Sequence, residues 1–320
     1  MGIDIYLRSK ESTDPDYGSD PRMRSIGELL KTGVINLDKP RGPTSHQVVS
    51  WVKGVLGVEK AGHGGTLDPK VSGVLPVALE RSTRVINYLL KSVKTYTVVM
   101  TLHEDLGRDA VAGVLDSFRG TILQTPPIKS AVKREPRERM IYRLEFLEMD
   151  GRDVLFEVEC EAGTYVRKLC RDMGEALLAG ANMSELRRIR SGNFDEEDSC
   201  TLQDLVDAMC YLREEANEVE LRRLVRPVED FVKDFPKIWV RDTAVEALCN
   251  GADLALPGVV KCHGAVESGG DVAVMTLKDE LVGMGKSRMS AGEIFEGKSG
   301  IAAELSRIVM ERGVYPRYWK

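Results

Sequence analysis

Two segments of the chain alternate apolar and polar residues with the period of two that is typical of half-buried strands. In KTYTVVMTL, residues 94–102, the apolar face consists of Tyr96, Val98, Met100 and Leu102. In VLFEVEC, residues 154–160, the corresponding face consists of Val154, Phe156, Val158 and Cys160. We therefore predict two strands that each bury one face, and we expect them to lie in the same sheet.

Two other segments place their apolar residues at helical spacing. Residues 46–56 carry Val48, Val52 and Val55 on one face, and Thr44 or Ser45 precedes them as the candidate N-cap. After Gly163 the apolar residues recur at i, i+3, i+4, i+7 and i+11, as Val166, Leu169, Cys170, Met173 and Leu177. The sequence therefore predicts a helix in each segment, and Thr164 is the expected N-cap of the second.

Strands and helices follow one another without the regular alternation that builds a parallel sheet. The short apolar run VINL, residues 34–37, predicts a further strand, and the polar turn DKPRGPTS follows it. We therefore predict an α+β fold with a mixed, largely antiparallel sheet and flanking helices, and not a doubly wound sheet.

The pattern along the chain divides it into four parts. Residues 1–32 show little periodicity, so we expect an extended arm that either is disordered or packs on another domain. Beyond Pro236 short strands are broken by Gly and Pro, which predicts a small β-rich domain of about 75 residues. A capping box from Ser290 to Glu293 opens a predicted terminal helix. The predicted boundaries are an arm at 1–32, a core at 33–234, the β-rich domain at 235–313 and a tail at 314–320.

Composition restricts the class of protein. The 320 residues are 42% hydrophobic and 30% charged, which excludes collagen-like, wholly disordered and membrane-spanning proteins. No apolar run has membrane length, and the first residues lack the apolar core of a secretory signal. The six cysteines form no CxxC pair and are interpreted as reduced thiols. We therefore expect a cytoplasmic protein with no membrane partner.

The net charge of −5 conceals an uneven distribution. Between Arg119 and Arg143, 7 basic residues stand against 2 acidic ones, a local balance of +5. Between Asn193 and Asp230, 12 acidic residues stand against 4 basic ones, a local balance of −8. Charge runs are most often solvated faces, but a partner meets the local charge and not the sum. The negative total therefore does not exclude nucleic acid.

The densest glycine cluster, AGHGGTLDPKVSGVLP at residues 61–76, surrounds one carboxylate, Asp68. It lacks the GxGxxG and GxxxxGK[ST] spacings of nucleotide-binding loops. An Asp-Pro pair is most often only a turn. A functional role for Asp68 therefore requires a partner.

Arg167 is the candidate partner. Together with Lys168 and Arg171 it lies in the first turns of the predicted helix, where the helix dipole disfavours cations by roughly 0.3–1 kcal/mol each. Such cations are better explained if they face a carboxylate or RNA phosphates, and we expect the planar guanidinium to hold a carboxylate through two hydrogen bonds.

Other chemistries find little support in the residues. The four histidines are scattered along the chain without metal-ligand spacing, and the GxSxG motif of serine hydrolases is missing. Tyr96 and Tyr165 fit simple core aromatics as well as site residues. A carboxylate glycosidase would need two acids, and the glycine cluster supplies one. At this level an enzyme and a binding protein both remain open.

Four blocks of sequence together resemble the TruB-type pseudouridine synthases, and more closely their archaeal dyskerin-like branch, which acts in H/ACA guide-RNA particles. The blocks are GVINLDKPRGPTS (33–45), GHGGTLDPKVSGVLPVAL (62–79), KTYTVVMTL (94–102) and GTYVRKLCRDMG (163–174). QTPPIKSAVK (124–133) and ELRRIRSGNF (185–194) add to the resemblance. The likeness to the catalytic domain covers residues 33–230, and the β-rich domain resembles the PUA domain, a small β-barrel-like RNA-binding fold.

The resemblance implies roles that the patterns do not supply. Asp68 matches the catalytic aspartate, which is required to detach uracil from its ribose and rejoin it through carbon. Arg167 matches the arginine that pairs with that aspartate, and Tyr96 matches the tyrosine that stacks on uracil and takes part in proton transfer. His63 and Tyr165 match residues near the displaced base. The reaction needs no cofactor and no metal.

Two further positions follow from the resemblance. Lys39, with Pro40, matches a motif that supports the active loop, and we group Lys39 with the substrate-binding candidates. Gly64 departs from the family pattern, in which a hydroxyl or similar small residue is expected there.

The resemblance also implies partners. These are an H/ACA guide RNA, target rRNA with tRNA as a further substrate, and three kinds of small protein: zinc-ribbon-like, small β-barrel and kink-turn-binding. We expect a mobile loop over substrate RNA at 119–143 and a docking face for a basic accessory protein at 193–230. Two alternatives stay open: a stand-alone synthase acting on the tRNA T-loop, and a non-catalytic RNA-binding scaffold.

Overall fold

The computed structural model describes residues 4–126 and 135–317, and their strands form two sheets. In chain order the strands are β1 (Ile5–Leu7), β2 (Gly33–Lys39), β3 (Ala61–His63), β4 (Ser72–Leu79), β5 (Lys94–Leu102), β6 (Gly120–Gln124), β7 (Arg137–Asp150), β8 (Asp153–Cys160), β9 (Ala181–Ser191), β10 (Phe194–Asp195), β11 (Val225–Pro227), β12 (Lys237–Val240), β13 (Leu254–Ala255), β14 (Val259–His263), β15 (Asp271–Met275), β16 (Leu281–Ser287) and β17 (Ile301–Ile308).

Helices cover the faces of these sheets. In chain order they are α1 (Ile26–Thr32), α2 (Ser45–Leu56), α3 (Ile86–Leu90), α4 (Arg108–Ser117), α5 (Val166–Ala176), α6 (Leu202–Glu215), α7 (Val219–Leu224), α8 (Val228–Phe231), α9 (Asp242–Cys249) and α10 (Ala291–Glu296). Short 3₁₀ turns lie at Pro21–Met23, Glu80–Val85, Glu196–Asp198 and Leu256–Gly258.

The larger sheet has the order β11-β2-β4-β9-β5-β8-β7-β6, with β3 beside β4 and β10 beside β9. Strand β4 runs parallel to β9, and the other pairs in this sheet are antiparallel. The two segments predicted from alternation are β5 and β8, which pair directly. Val98, Met100 and Leu102 are buried as the pattern requires. The predicted α+β class with a mixed, largely antiparallel sheet is confirmed.

The helix at residues 46–56 forms as predicted. Thr44 is its N-cap: the hydroxyl accepts a hydrogen bond from the Gln47 backbone amide, and the Gln47 side-chain oxygen accepts one from the Thr44 amide. Gly57 ends the helix in a left-handed conformation with φ 67°. Val48 and Val52 are buried against the sheet, so this helix covers the strand that leads into the loop of Asp68.

The smaller sheet has the order β1-β14-β12-β15-β16-β17-β13. The short strands predicted beyond Pro236 are present, among them β12, β15 and β16, but the helix α9 that follows β12 was missed. The capping box at Ser290 is present too, although its helix is six residues long and is followed by β17. The prediction of a terminal helix is therefore wrong.

The arm contains more structure than its composition indicates. Strand β1 pairs antiparallel with β14 and so joins the smaller sheet. Farther along, Ser25 caps α1 through a capping box with Glu28. Ile26 and Leu29 of this helix are buried in the same cluster as Leu37. Residues 26–32 therefore belong to the core of the larger sheet, and a boundary drawn after residue 32 falls too late.

A shared apolar cluster joins the two sheets. Val34 and Phe231 on the side of the larger sheet are buried with Trp239, Met275 and Leu281 of the smaller one. Beside this cluster, Arg24 holds Glu229 through two 2.8 Å hydrogen bonds. Because both sheets bury residues in one cluster, they pack as one body.

Candidate active site

A loop between β3 and β4 carries Asp68 at the surface. The residue before it, Leu67, is buried, and so is Val71 after it. The Ser45 hydroxyl donates to the Leu67 carbonyl over 3.0 Å and accepts from the Leu67 amide over 2.9 Å. The Val71 amide donates to the Asp68 carbonyl over 2.9 Å. The backbone on both sides is thus fixed, while the carboxylate of Asp68 remains exposed.

The ammonium of Lys39 lies beneath this loop. It donates to the carbonyls of Pro40 over 2.9 Å and Val71 over 2.8 Å, with a longer contact of 3.4 Å to the carbonyl of Asp68. Burial lowers the pKa of Lys39, and the Asp68 carboxylate opposes that shift. Grouping Lys39 with the substrate-binding residues is wrong, because the residue is 0% exposed. It supports the loop from below.

Arg167 on α5 reaches the carboxylate of Asp68 from across the sheet. Its Nη2 donates to Oδ2 of Asp68 over 2.5 Å, between residues 99 positions apart. The structure shows one hydrogen bond between the two side chains, where two were expected from the sequence. The cation at the start of the helix therefore faces a carboxylate, and the two functional groups predicted as partners meet.

The other cations of α5 are paired along the helix itself. Lys168 forms an ion pair with Asp172, and Arg171 forms one with Glu175 at 2.9 Å, each one turn farther on. These pairs offset the unfavourable position near the helix start. Of the three cations, Arg167 alone reaches the loop of Asp68 in the described part of the chain.

The start of α5 is held by a residue from another strand. The side chain of Gln124, at the end of β6, accepts from the Tyr165 amide over 3.0 Å and donates to the Tyr165 carbonyl over 3.3 Å. Thr164 instead donates its hydroxyl to the carbonyl of Glu161. The prediction that Thr164 caps the helix is therefore wrong. Gln124 fixes Tyr165 in place two residues before Arg167.

Tyr96 lies in β5 beside a buried arginine. Its cross-strand neighbours are Val158 on β8 and Arg188 on β9. The phenol and the Arg188 guanidinium are close enough for each to shift the pKa of the other. Burial raises the pKa of Tyr96, and the charge of Arg188 acts in the opposite direction. Arg188 was not predicted as a site residue, because an arginine in the charged run ELRRIR resembles a surface residue.

His63, at the end of β3, packs against a second histidine. The rings of His63 and His46 meet edge to face with centroids 5.1 Å apart. Burial lowers the pKa of His63, and the neighbouring His46 and Arg188 add to the shift. The Nδ1 of His63 is buried without a hydrogen-bond partner among the described residues. The histidines are scattered in sequence, yet two of them meet beside the loop of Asp68.

Gly64 has a packing reason for departing from the family pattern. A Cβ at this position would collide with the side chain of Leu89. The Gly64 amide donates to the Pro76 carbonyl over 2.9 Å. Glycine therefore lets the strand end lie directly against Leu89, and the departure does not loosen the loop.

The basic region at 119–143 is in large part a hairpin. Strands β6 and β7 pair antiparallel at its two ends, and residues 127–134 between them, on which the expected mobile loop falls, lie outside the described part. Within the hairpin Arg139 pairs with Glu161 and Arg143 with Glu157. Part of its positive charge is therefore neutralised by neighbouring strands.

The described residues contain neither a metal-ligand cluster nor a membrane-spanning helix. No group of three or more His, Cys, Asp or Glu side chains within 4–126 and 135–317 could hold a metal ion. In the same residues, no helix combines the length and the apolar character needed to cross a membrane. All six cysteines are free, and Cys210 is the exposed one.

Comparisons with known families match the chain along most of its length. The TruB family pseudouridylate synthase N-terminal domain matches residues 53–113 and 103–166, and the tRNA pseudouridylate synthase B C-terminal domain matches 167–233. The PUA domain matches 236–309, and the DKCLD domain matches 3–49. A probable tRNA pseudouridine synthase B of Methanopyrus kandleri is 50% identical over 99% of this chain and 94% of its own length. The chain belongs to the TruB family of pseudouridine synthases.

Other members of the family are equally similar. The probable tRNA pseudouridine synthase B of Thermococcus kodakarensis is 52% identical, over 99% of this chain and 94% of its own. Among solved structures, a Cbf5-Nop10-Gar1 complex contains a chain with TM-score 0.95 and 50% identity, covering 99% of this chain and 97% of that one. An H/ACA RNP bound to a substrate RNA containing 2′-deoxyuridine contains one with TM-score 0.94 and 48% identity, covering 100% and 98%.

Membership in the TruB family settles the class of the protein. It is an enzyme, an isomerase that converts uridine in RNA to pseudouridine. The catalytic domain is followed by a PUA domain, as the resemblance implied.

Proposed function

We propose that this TruB-family chain is the catalytic subunit of an H/ACA guide ribonucleoprotein, with rRNA as its main substrate and tRNA as a further one. The observation that carries the proposal is the match over the whole chain, at TM-score 0.94 and 48% identity, to a protein in an H/ACA RNP bound to substrate RNA. Its partners would then include an H/ACA guide RNA and small proteins such as the Nop10 and Gar1 of a solved complex.

Asp68 is the proposed catalytic residue. A uridine stacked in RNA cannot present its glycosidic bond, so the base must leave the stack and enter a pocket at the protein surface. Asp68 offers an exposed carboxylate on a backbone that is fixed on both sides. A rigid backbone with a free functional group is the arrangement that holds a reacting atom in place.

The other site residues have supporting roles in this proposal. Arg167 orients the Asp68 carboxylate through its 2.5 Å contact. Tyr96 would stack on the uracil, and its burial keeps the phenol protonated and able to donate. His63 and Tyr165 would line the pocket around the displaced base, with Tyr165 held by Gln124.

A cytoplasmic location is part of the proposal. Five of the six free cysteines are buried, and unpaired buried thiols are typical of proteins in reducing compartments.

The test incubates purified protein with tRNA and with a guide–target pair, each with and without the accessory proteins, and maps pseudouridine at single-nucleotide resolution. We expect guide-dependent modification of the target. Asp68→Asn should abolish turnover while RNA affinity stays within about twofold, and Asp105→Asn, at an exposed aspartate, is the matched control. Modification of guided targets with no guide present would defeat the proposal.

A second candidate rests on the names of the relatives. The similar chains from Methanopyrus kandleri and Thermococcus kodakarensis are both named as probable tRNA pseudouridine synthase B. A stand-alone tRNA synthase would modify tRNA at full rate without guide or accessory proteins, so the same incubations distinguish the two candidates.

A further inference from the structure

Arg188 lies where three strands of the larger sheet meet. The parallel pairing of β4 with β9 puts Gly73 opposite Arg188, and the antiparallel pairing of β5 with β9 puts Tyr96 opposite it. Gly73 has φ 107°, and a Cβ there would collide with the backbone of Arg188. The strand that leaves the loop of Asp68 therefore crosses Arg188 at the closest approach that a glycine allows.

The side chain of Arg188 extends this junction to the loop. Its Nε donates to the Val74 carbonyl over 2.7 Å, and its Nη2 donates to the Gly65 carbonyl over 3.1 Å. Gly65 and Val74 stand on either side of Asp68 in the sequence. The same residue is the cross-strand neighbour of Tyr96, close enough for its charge to act on the pKa of the phenol. One side chain thus contacts both ends of the loop that carries Asp68 and also Tyr96.

The burial of Arg188 in this arrangement lowers the stability of the fold. Arg188 is 1% exposed, and no carboxylate in the described part of the chain pairs with it. A buried charge without a counter-ion opposes folding, even when carbonyl groups accept its hydrogen bonds. Its neighbours add to the imbalance, since Lys39 and Lys94 are buried close by and are also bonded to neutral carbonyls. The presence of Arg188 at this position, despite its cost to folding, indicates a role other than stabilising the fold.

We propose that Arg188 is a positioning residue for the isomerisation: it fixes the Asp68 loop relative to Tyr96 and presents a positive charge to the phenol. This inference rests on the proposed function, because it deepens the roles given there to Asp68 and Tyr96. The planar guanidinium suits the task, since its fork reaches two carbonyls on different segments from a position directly across from Tyr96. A lysine has a single ammonium group and cannot reach both carbonyls and the phenol at once.

The test compares Arg188→Lys and Arg188→Met with Arg190→Lys, the same chemical change at an exposed arginine two residues along β9. Each chain is assembled with guide RNA and accessory proteins, and single-turnover rate and RNA affinity are measured separately. In parallel, tyrosine labelled with ¹³C at Cζ reports on the phenol by NMR, and the Tyr96 signal is assigned from its loss in Tyr96→Phe.

We expect Arg188→Lys to lower the single-turnover rate at least tenfold, with RNA affinity within twofold and the Tyr96 signal displaced. Arg188→Met should lower the rate further, and Arg190→Lys should change none of the three. In a Tyr96→Phe background, Arg188→Lys should lower the rate by a smaller factor than in the wild-type background, because the effect on the phenol is gone and only the effect on the Asp68 loop remains.

Three results would overturn the inference. They are an unmoved Tyr96 signal in Arg188→Lys with a rate within twofold of wild type, equal losses in the wild-type and Tyr96→Phe backgrounds, and a chain that unfolds with lysine at 188. A failure of the proposed function gives a different result. The unmodified protein then forms no guided pseudouridine, while Arg188→Lys still displaces the Tyr96 signal.

Discussion

Arg167 and Asp68 meet at 2.5 Å although 62% and 53% of their side chains remain exposed. An exposed ion pair adds only about 0–1 kcal/mol to stability, because water and salt screen it. The pair therefore contributes little to the fold. Its effect is to aim the Asp68 carboxylate, whose backbone is already fixed by Ser45 and Lys39.

Replacing Arg167 should reduce activity, through the orientation of the Asp68 carboxylate, far more than it reduces the stability of the fold. We expect Arg167→Ala to lower the single-turnover rate at least tenfold while the free energy of unfolding falls by no more than about 1 kcal/mol. Because a single contact joins the pair, Arg167→Lys should recover an intermediate rate. Arg171→Ala, on the same helix and paired with Glu175, is the control. A lysine variant as inactive as the alanine variant would show that the guanidinium fork itself is needed.

Removing Lys39 should loosen the loop from below. Lys39→Met leaves the carbonyls of Pro40 and Val71 buried without their donor, so the free energy of unfolding should fall by about 2 kcal/mol. Activity should fall with it, because the backbone of Asp68 loses a support, while RNA affinity is retained. Lys60→Met, at an exposed lysine, should change neither quantity. Urea unfolding and RNA titration check both expectations, and an unchanged unfolding free energy in Lys39→Met would contradict this role.

Lys94 should make stability depend on pH above neutrality. Its ammonium donates to the carbonyls of Leu89 and Leu90 at the end of α3, and burial, with Arg188 nearby, lowers its pKa to about 7. Between that value and its ordinary pKa of 10.5, the unfolded chain holds a proton that the folded chain releases. The contribution of Lys94 to the free energy of unfolding therefore rises with pH across this window and is flat below about pH 7.

The measurement compares urea unfolding of the unmodified protein and of Lys94→Met from pH 6 to pH 9. Subtracting the two curves should reveal a slope that approaches about 1.4 kcal/mol per pH unit above pH 8, the value for one proton. Lys91→Met, at an exposed lysine three residues away, should leave the slope of the unmodified protein in place. Parallel curves for the unmodified protein and Lys94→Met would mean that Lys94 stays charged in the fold.

Gly73 should tolerate no side chain. Gly73→Ala needs a left-handed conformation and places a methyl group in the backbone of Arg188, so it should destabilise the protein by on the order of 2 kcal/mol or more and reduce activity. Gly54→Ala is the matched control: Gly54 lies in α2 with open space around it, and alanine there should add up to about 1 kcal/mol. Thermal unfolding of the two variants is the measurement. Equal melting temperatures would contradict the inference that β4 passes the backbone of Arg188 too closely for a side chain at position 73.

Periodicity predicted the elements that bury one face. Strands β5 and β8 and helix α2 follow directly from the spacing of their apolar residues, and α9 has the same kind of spacing, with Val245, Leu248 and Cys249 buried, but was overlooked. The meeting of Arg167 with Asp68 was foreseen because a cation at a helix start needs an explanation.

The remaining features depend on partners far away in the sequence. Arg188 is buried because backbone carbonyls 114 and 123 residues earlier in the chain accept its hydrogen bonds, and a charged residue in a polar run carries no sign of that. Gln124 holds the start of α5 from a strand 41 residues earlier. Such contacts exist only once the sheet has formed, so local pattern could not reveal them.

The arm runs between the two sheets as a second covalent connection. Strand β1 belongs to the smaller sheet and α1 to the core of the larger one, whereas the other connection passes from α8 into β12. Two domains joined by a single segment can swivel about it, but a second segment anchored at both ends removes that freedom. Cleaving the chain between residues 9 and 20 would therefore remove one of the two covalent connections and leave the shared apolar cluster and the α8–β12 connection to hold the two sheets together.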